Sequence, residues 1–361
     1  MRSQKGSVQS FATFPEQEEA KRLLASALAE GPAHAYLFHG PRGVGKRAAA
    51  LAFAGELLGD PGRVSRGAHP DLYVLEPLGD QIRIDPVREL RRDLHMRPFE
   101  AGRRVYLIFK AHLMNEDAAD ALLKDLEEPP DYAVIVLVAD ELGPLPETIR
   151  SRCQLIPFRR LSQRAIRELL ASRGVAGSEL EALARVAAGR LDRAERLLDP
   201  KAGKRRDDLI ALARSVYLEP EFRPAAAERV VNGLARAQGA EARAKAEEAG
   251  GGEETAKQQE QRIARAARGA EREEVLDALE VLAGWYRDLA VAATGAEGAV
   301  LNSDRLELLR VDATPERVPA AAGAAGAVRE AWRTFEEFNV QPGLALEALF
   351  VRLGREFTGK M

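Results

Sequence analysis

The stretch GPRGVGKR, Gly40 to Arg47, has the spacing of a phosphate-binding loop: glycine, four residues, glycine and lysine, where a serine or threonine should follow. Gly40, Gly43 and Gly45 would let backbone N–H groups wrap an oxyanion. Lys46 and the N-terminus of a following helix would add positive charge. The last position departs from the pattern. A hydroxyl there holds magnesium, but this chain has Arg47, whose guanidinium has no lone pair and repels a cation. An empty or weakly occupied loop, an inherited strand-to-helix turn whose glycines serve tight packing, is read ahead of a tight nucleotide site, although a metal-free anion could still sit there.

A second position bears on the same chemistry. P-loop ATPases end a neighbouring strand on an aspartate, often Asp-Glu, that holds magnesium and polarises the attacking water. In VYLIFKAHLMN that strand end carries Phe109 and Lys110, which can do neither. The two losses are separate in sequence and agree in effect, so hydrolysis in this chain's own pocket is not expected.

These residues need a scaffold. AYLFHG (Ala35 to Gly40) reads as a short apolar strand entering the loop, and KRAAALAFAGELLG as the helix leaving it. DLYVLEP, RRVYLIF, YAVIVLVA and CQLIPF are further apolar strands, and Asn115 to Glu128 is a helix stopped by Pro129 and Pro130. Continuous apolar strands alternating with helices predict a parallel sheet covered on both faces. From Ser162, a candidate cap, the pattern is helical. SELEALARVAAGRLDRAERLL reads as two short helices broken at Gly189. The predicted organisation is an α/β P-loop domain over 1–160, a small helical lid over 161–204 and an all-α domain over 205–361, with Trp285 and Trp332 as core anchors. Within the last, about 236–273 is low-complexity Ala, Glu, Lys, Arg and Gly, interrupted at Gly250 to Gly252. It reads as an exposed helical extension or a disordered insertion. VPAAAGAAGAVREAW reads as a second weak segment.

Composition sets the remaining bounds. At 361 residues, 46% hydrophobic and 30% charged, the chain reads as a soluble protein of two or three domains. A net charge of -3 leaves no global basic signature, so any nucleic-acid contact would be local or shared with other chains. Cys153 is the single cysteine, which excludes an internal disulfide and a cysteine-rich zinc site. The first twenty residues lack the apolar run of a signal peptide, and no stretch approaches a membrane span, so a cytoplasmic protein is expected.

HAYLFHGPRGVGK, AHPDLYVLEP, DAADALLKDLEEPP and LPETIRSRCQLIPF, in that order, resemble the delta-prime branch of the bacterial DNA polymerase III clamp-loader subunits, a AAA+ family. The resemblance runs from about Gln17 to Leu161. It is looser in AAGRLDRAERLL, similar to the lid, and in FNVQPGLALEALFVRL, similar to the last helices of the collar. It implies a AAA+ domain, a lid and an oligomerising collar in a pentameric ring whose ATP sites lie between subunits. It implies a subunit without ATPase activity of its own that supplies an arginine finger in trans, at the position of Arg152 in Ser151-Arg152-Cys153. An ordinary arginine at a helix end is the plainer reading of that residue alone. The implied partners are tau/gamma-like ATPase subunits that bind ATP and magnesium, a delta-like subunit, the sliding clamp and, indirectly, primed DNA. The family's four-cysteine zinc module is missing from LLGDPGRVSRGAHPD, so no zinc and no cofactor of its own are expected. The polar sensor position falls at Asp140, with Glu141 next, where acids would repel a terminal phosphate. The lid position that contacts phosphate in active relatives falls at Asp192, flanked by Arg190 and Arg193, with the alignment open by a residue or two. The alternatives are a slow self-contained ATPase and a nucleotide sensor without turnover.

Other candidates are weaker. IRIDPVRELRRDLHMRPFEAGRR is basic, with a helix expected to start at Asp85-Pro86, and is read as a solvated face ahead of a DNA contact. His69 and Asp71 lack a third metal partner nearby and are read as a turn before a strand. Cys153 is read as a small buried apolar residue, and His34, His39, His95 and His112 have no catalytic companion in sequence.

Overall fold

The computed structural model describes Phe11, 14–77, 81–140, 142–143, 145–248, 256–337 and 341–359. Glu141 and the glycines 250–252 lie outside the described residues. The chain divides into two compact units: one runs to Leu169 and includes Gly189–Arg193, and the other comprises Leu170–Ala188 and the chain from Ala194 onward.

The first unit contains, in order, α1 (Glu18–Glu30), β1 (Ala35–His39), α2 (Lys46–Leu58), α3 (Pro61–Ser65), β2 (Leu72–Leu75), α4 (Ile84–Leu94), β3 (Arg104–Phe109), α5 (Glu116–Glu127), β4 (Ala133–Ala139), α6 (Glu147–Arg150) and β5 (Gln154–Pro157). The strands form one parallel sheet in the order β2-β3-β4-β1-β5. β1, which feeds the glycine loop, lies between β4 and β5.

Strand geometry explains the core. Successive side chains point to opposite faces, so Tyr36, Phe38, Leu107, Val134 and Val136 pack with Phe53 and Phe158 on one face. Leu37, Tyr106, Ile108, Ile135 and Leu137 pack with Leu90, Leu94 and Leu122 on the other. Both faces are buried, which is why the strands read as unbroken apolar runs. β3 and β4 have no exposed residue.

The helix boundaries follow local chemistry. Asn115 caps α5 by accepting the N–H of Ala118 at 3.0 Å, and two prolines follow its last turn. α4 begins at Ile84 rather than at Asp85-Pro86; the proline then sits inside the first turn, where no backbone donor is required. Ser162 caps the next helix through the N–H of Ala165 at 3.1 Å.

From Gln163 the chain is helical, through α7 (Gln163–Ser172), most of it in the first unit, α8 (Gly177–Val186), α9 (Leu191–Leu197), whose first three residues belong to the first unit, and, in the second unit, α10 (Pro200–Leu218), α11 (Pro224–Glu248), α12 (Ala256–Ala293), α13 (Leu306–Asp312), α14 (Val318–Glu337) and α15 (Pro342–Thr358). Two weak-looking stretches are regular helix. VPAAAGAAGAVREAW lies within α14, where Ala321, Ala324, Ala325 and Ala327 are buried; their small side chains let neighbouring backbones approach. Where it is described, the charged low-complexity region is helix, up to Glu248 in α11 and from Ala256 in α12, with Gly239 and Ile263 buried. Trp285 is fully buried and donates through Nε1 to Tyr217 Oη at 3.0 Å, and Tyr217 Oη donates to Asp312 at 2.7 Å. Trp332 is only half-buried, and its Nε1 has no hydrogen-bond partner among the described residues.

Candidate functional site

The loop between β1 and α2 runs through backbone conformations open to glycine. Gly40 and Gly43 have φ of 139° and 74°. Their neighbours leave no room for a side chain. A Cβ on Gly40 would lie 2.1 Å from the carbonyl oxygen of Phe158, and one on Gly43 would lie 1.7 Å from Asp192 Oδ1. Tight packing therefore requires both glycines, whatever the loop binds.

Lys46 starts α2 and is 4% exposed. Its Nζ donates to Gly40 O at 2.7 Å and Pro41 O at 2.6 Å, and pairs with Asp140 Oδ1 at 2.8 Å. An ammonium group has three protons, and three acceptors within this chain match them. Burial lowers the Lys46 pKa, and Asp140 and then Asp192 partly restore it. Burial pushes the Asp140 carboxyl up, but Lys46, with His112 and Arg42 adding to it, holds the net pKa below the ordinary carboxylate value. Asp140 follows β4, and its backbone N–H donates to His112 Nδ1 at 3.1 Å. His112, without a visible companion in the sequence, thus fixes the residue that pairs with the loop lysine.

Arg47 points elsewhere. Its guanidinium carbon lies 4.3 Å from the centroid of the Phe109 ring, and its Nη1 pairs with Glu76 beyond β2. The two positions at which the sequence departs from the expected pattern, 47 and 109, thus contact each other. Lys110 follows in left-handed conformation (φ 52°), turning the chain out of β3.

The segment Gly189–Arg193 closes over the loop. Leu191 N–H donates to Gly43 O at 2.6 Å, and Leu161 N–H donates to Gly189 O at 3.0 Å. Arg190, 3% exposed, grips the Asp192 carboxylate in a fork, Nε to Oδ1 at 3.0 Å and Nη2 to Oδ2 at 2.7 Å. The structure thus brings Gly40, Gly43, Gly45, Lys46, Asp140 and Asp192 together, with Arg47 turned to a separate contact.

Arg152 lies apart from this cluster, just beyond α6. It is exposed, donates through Nη1 to Thr148 O at 2.8 Å and pairs through Nη2 with Glu127 of α5. Cys153 is partly covered, and burial pushes its thiol up to about 12. Part of the basic stretch is paired within the unit: Arg91 with Asp125, Arg88 with Asp85 at 3.5 Å, Arg104 with Asp93 at 2.7 Å, and His95 with Asp125 at 3.3 Å.

Asp71 does more than end a turn. It is fully buried and accepts N–H groups from Phe99 at 2.6 Å, Glu100 at 3.0 Å and Ala101 at 2.8 Å. His69 Nδ1 accepts from the Asp71 N–H at 3.1 Å. Among the described residues no group of three His, Cys, Asp or Glu is placed to hold a metal ion. No helix among them is long and apolar enough to cross a membrane.

A family profile described as DNA polymerase III, delta subunit, covers residues 16–162. The delta-prime subunit of DNA polymerase III from Bacillus subtilis is 35% identical over 154 residues, which is 39% of this chain and 47% of that protein. The delta-prime subunit from Pseudomonas aeruginosa is 42% identical over 136 residues, 34% of this chain and 42% of that protein. The tau subunit from Bacillus subtilis is 33% identical over 172 residues, 44% of this chain and 30% of that protein. The similarity thus spans about half or less of each of these relatives, and percentage identity does not by itself separate delta-prime from tau. Residues 16–162 are thus similar to the delta-prime subunits of DNA polymerase III, by the family profile and by both delta-prime relatives.

Proposed function

We propose that this chain is a clamp-loader subunit that hydrolyses no ATP of its own and lends Arg152 to an ATP site on a neighbouring subunit. The observation that carries the first half is the contact between Arg47 and Phe109. In a working site these two positions hold magnesium through oxygen; here a cation rests on an aromatic face. No ligand for a divalent ion is offered at either position, and the attacking water has no acid to polarise it.

The second half rests on chemistry and position. An ATP site shared between subunits needs a pocket from one chain and a cation from another. A subunit whose pocket is unsuited to metal still serves by supplying the cation. Arg152 is exposed beyond α6, and its contacts with Glu127 and Thr148 lie at the surface, where a phosphoryl group can compete for the guanidinium. On this reading ATP and magnesium belong to tau/gamma-like neighbours. The helical second unit would join a collar with those subunits and a delta-like one, and the assembly would open the sliding clamp and load it on primed DNA.

Reconstitution tests the reading. The chain is mixed with P-loop-competent tau/gamma-like subunits, a delta-like subunit, clamp and primed DNA, and stimulated phosphate release is compared for wild type and Arg152→Ala. Loss of a finger is worth about 10³–10⁵ in rate at the one site it serves, so a clear fall in stimulated turnover is expected. Unchanged turnover in an assembled complex would falsify the finger assignment.

A further inference from the structure

The cations around the loop, Lys46 and Arg190, are each already matched by a carboxylate of this chain. Two carboxylates, Asp140 and Asp192, lie where a phosphate-binding loop would present only donors. Asp140 takes one proton of Lys46, and two backbone carbonyls take the others. Asp192 lies against the Gly43 Cα, so close that a single added carbon there would overlap its Oδ1. Its carboxylate does not float: Arg190 holds both oxygens, and the Arg193 N–H donates to Oδ1 at 2.8 Å. The backbone bond from Leu191 to Gly43 then ties the segment to the loop.

We infer that Asp192 is the resident anion of this loop, a specificity-determining residue that latches Gly189–Arg193 onto Gly40–Lys46 without nucleotide and excludes phosphate from the cradle. In a nucleotide-binding loop, the terminal phosphates would draw Lys46 and a cationic residue of this segment together. Here a carboxylate supplied by the segment itself supplies the negative charge. Because the carboxylate is covalently part of the chain, its effective concentration at the loop is fixed, and the contact does not cycle with ATP level. An incoming triphosphate would have to displace Asp192 from Arg190 and Asp140 from Lys46 before either cation could meet it. The loop thereby becomes a fixed structural joint.

The inference deepens the non-hydrolysing reading and rests on it, but its test uses the isolated full chain. The Arg152→Ala reconstitution fails or succeeds independently. Fluorescently labelled ATP is titrated, in EDTA, onto wild type, Asp192→Asn and Asp192→Asn/Lys46→Ala, with thermal melts to verify folding. Wild type is expected not to saturate. Asp192→Asn removes a like charge within a few ångströms of the ligand and is expected to bind at least about tenfold more tightly. Adding Lys46→Ala is expected to abolish that gain, which locates the ligand in the cradle. Hydrogen exchange on wild type gives a second readout that needs no variant: the Leu191 amide should be protected to the same extent with and without excess ATP. Binding by Asp192→Asn no tighter than by wild type overturns the inference. So does added protection of the segment when ATP is supplied to wild type.

Discussion

The guanidinium of Arg47 lies over the ring of Phe109, 4.3 Å from its centroid. Two departures that are 62 positions apart in sequence are therefore one contact. The stack is favourable by about 0.5–1 kcal/mol at a partly exposed site. The Arg47–Glu76 pair adds little, because both side chains are well hydrated.

It follows that Arg47→Thr restores the loop motif in sequence but not the chemistry. The isolated variant is expected to release no phosphate from ATP in magnesium above the wild-type background, because Phe109 still occupies the acid's position. Turnover by the single variant that disappears on adding Lys46→Ala would mean that Arg47 alone was the block.

Gly40 separates the two meanings of a loop glycine. Its φ of 139° and the 2.1 Å approach of the Phe158 carbonyl to its missing Cβ predict that Gly40→Ala destabilises the first unit with no ligand present. Strain of this kind is worth about 1–3 kcal/mol. Urea unfolding in nucleotide-free buffer measures it. An unchanged midpoint would mean that the glycine serves a ligand rather than the packing of β5 against the loop.

Asp71 predicts a pH dependence. Burial raises its pKa, but the N–H groups of Ala101, Phe99 and Glu100, with Arg104 nearby, more than reverse this, so it lies below the ordinary 3.8 in the folded chain. A carboxyl with a depressed folded pKa stabilises above its unfolded pKa, and that stability drains away as pH falls through the folded value. Wild type should therefore lose stability below about pH 4. Asp71→Asn should be less stable at pH 7, by about 1–3 kcal/mol for donors left poorly paired. It should also show a shallower acid limb in urea midpoints taken from pH 7 to 3. Parallel limbs for the two proteins would remove Asp71 from the acid response.

The alternation of strand and helix, the glycine loop, the caps at Asn115 and Ser162, and the break at Gly189 were legible in the sequence, because each follows from local periodicity or backbone chemistry. So were the departures from the P-loop pattern at positions 47 and 109, which are side-chain types read directly from the sequence. The alanine-rich stretches were harder to read. Alanine and glycine give little amphipathic signal, and only packing against neighbours reveals that Ala321, Ala324 and Gly239 are interior. Tertiary structure alone decided how the altered residues are used: Arg47 on Phe109, Lys46 on Asp140, Asp192 against Gly43, and Asp71 under the 99–101 backbone. Each pair joins residues from distant parts of the chain. Sequence specifies which groups exist, but the parallel sheet order sets which of them come within a few ångströms, where desolvation and charge determine what they do.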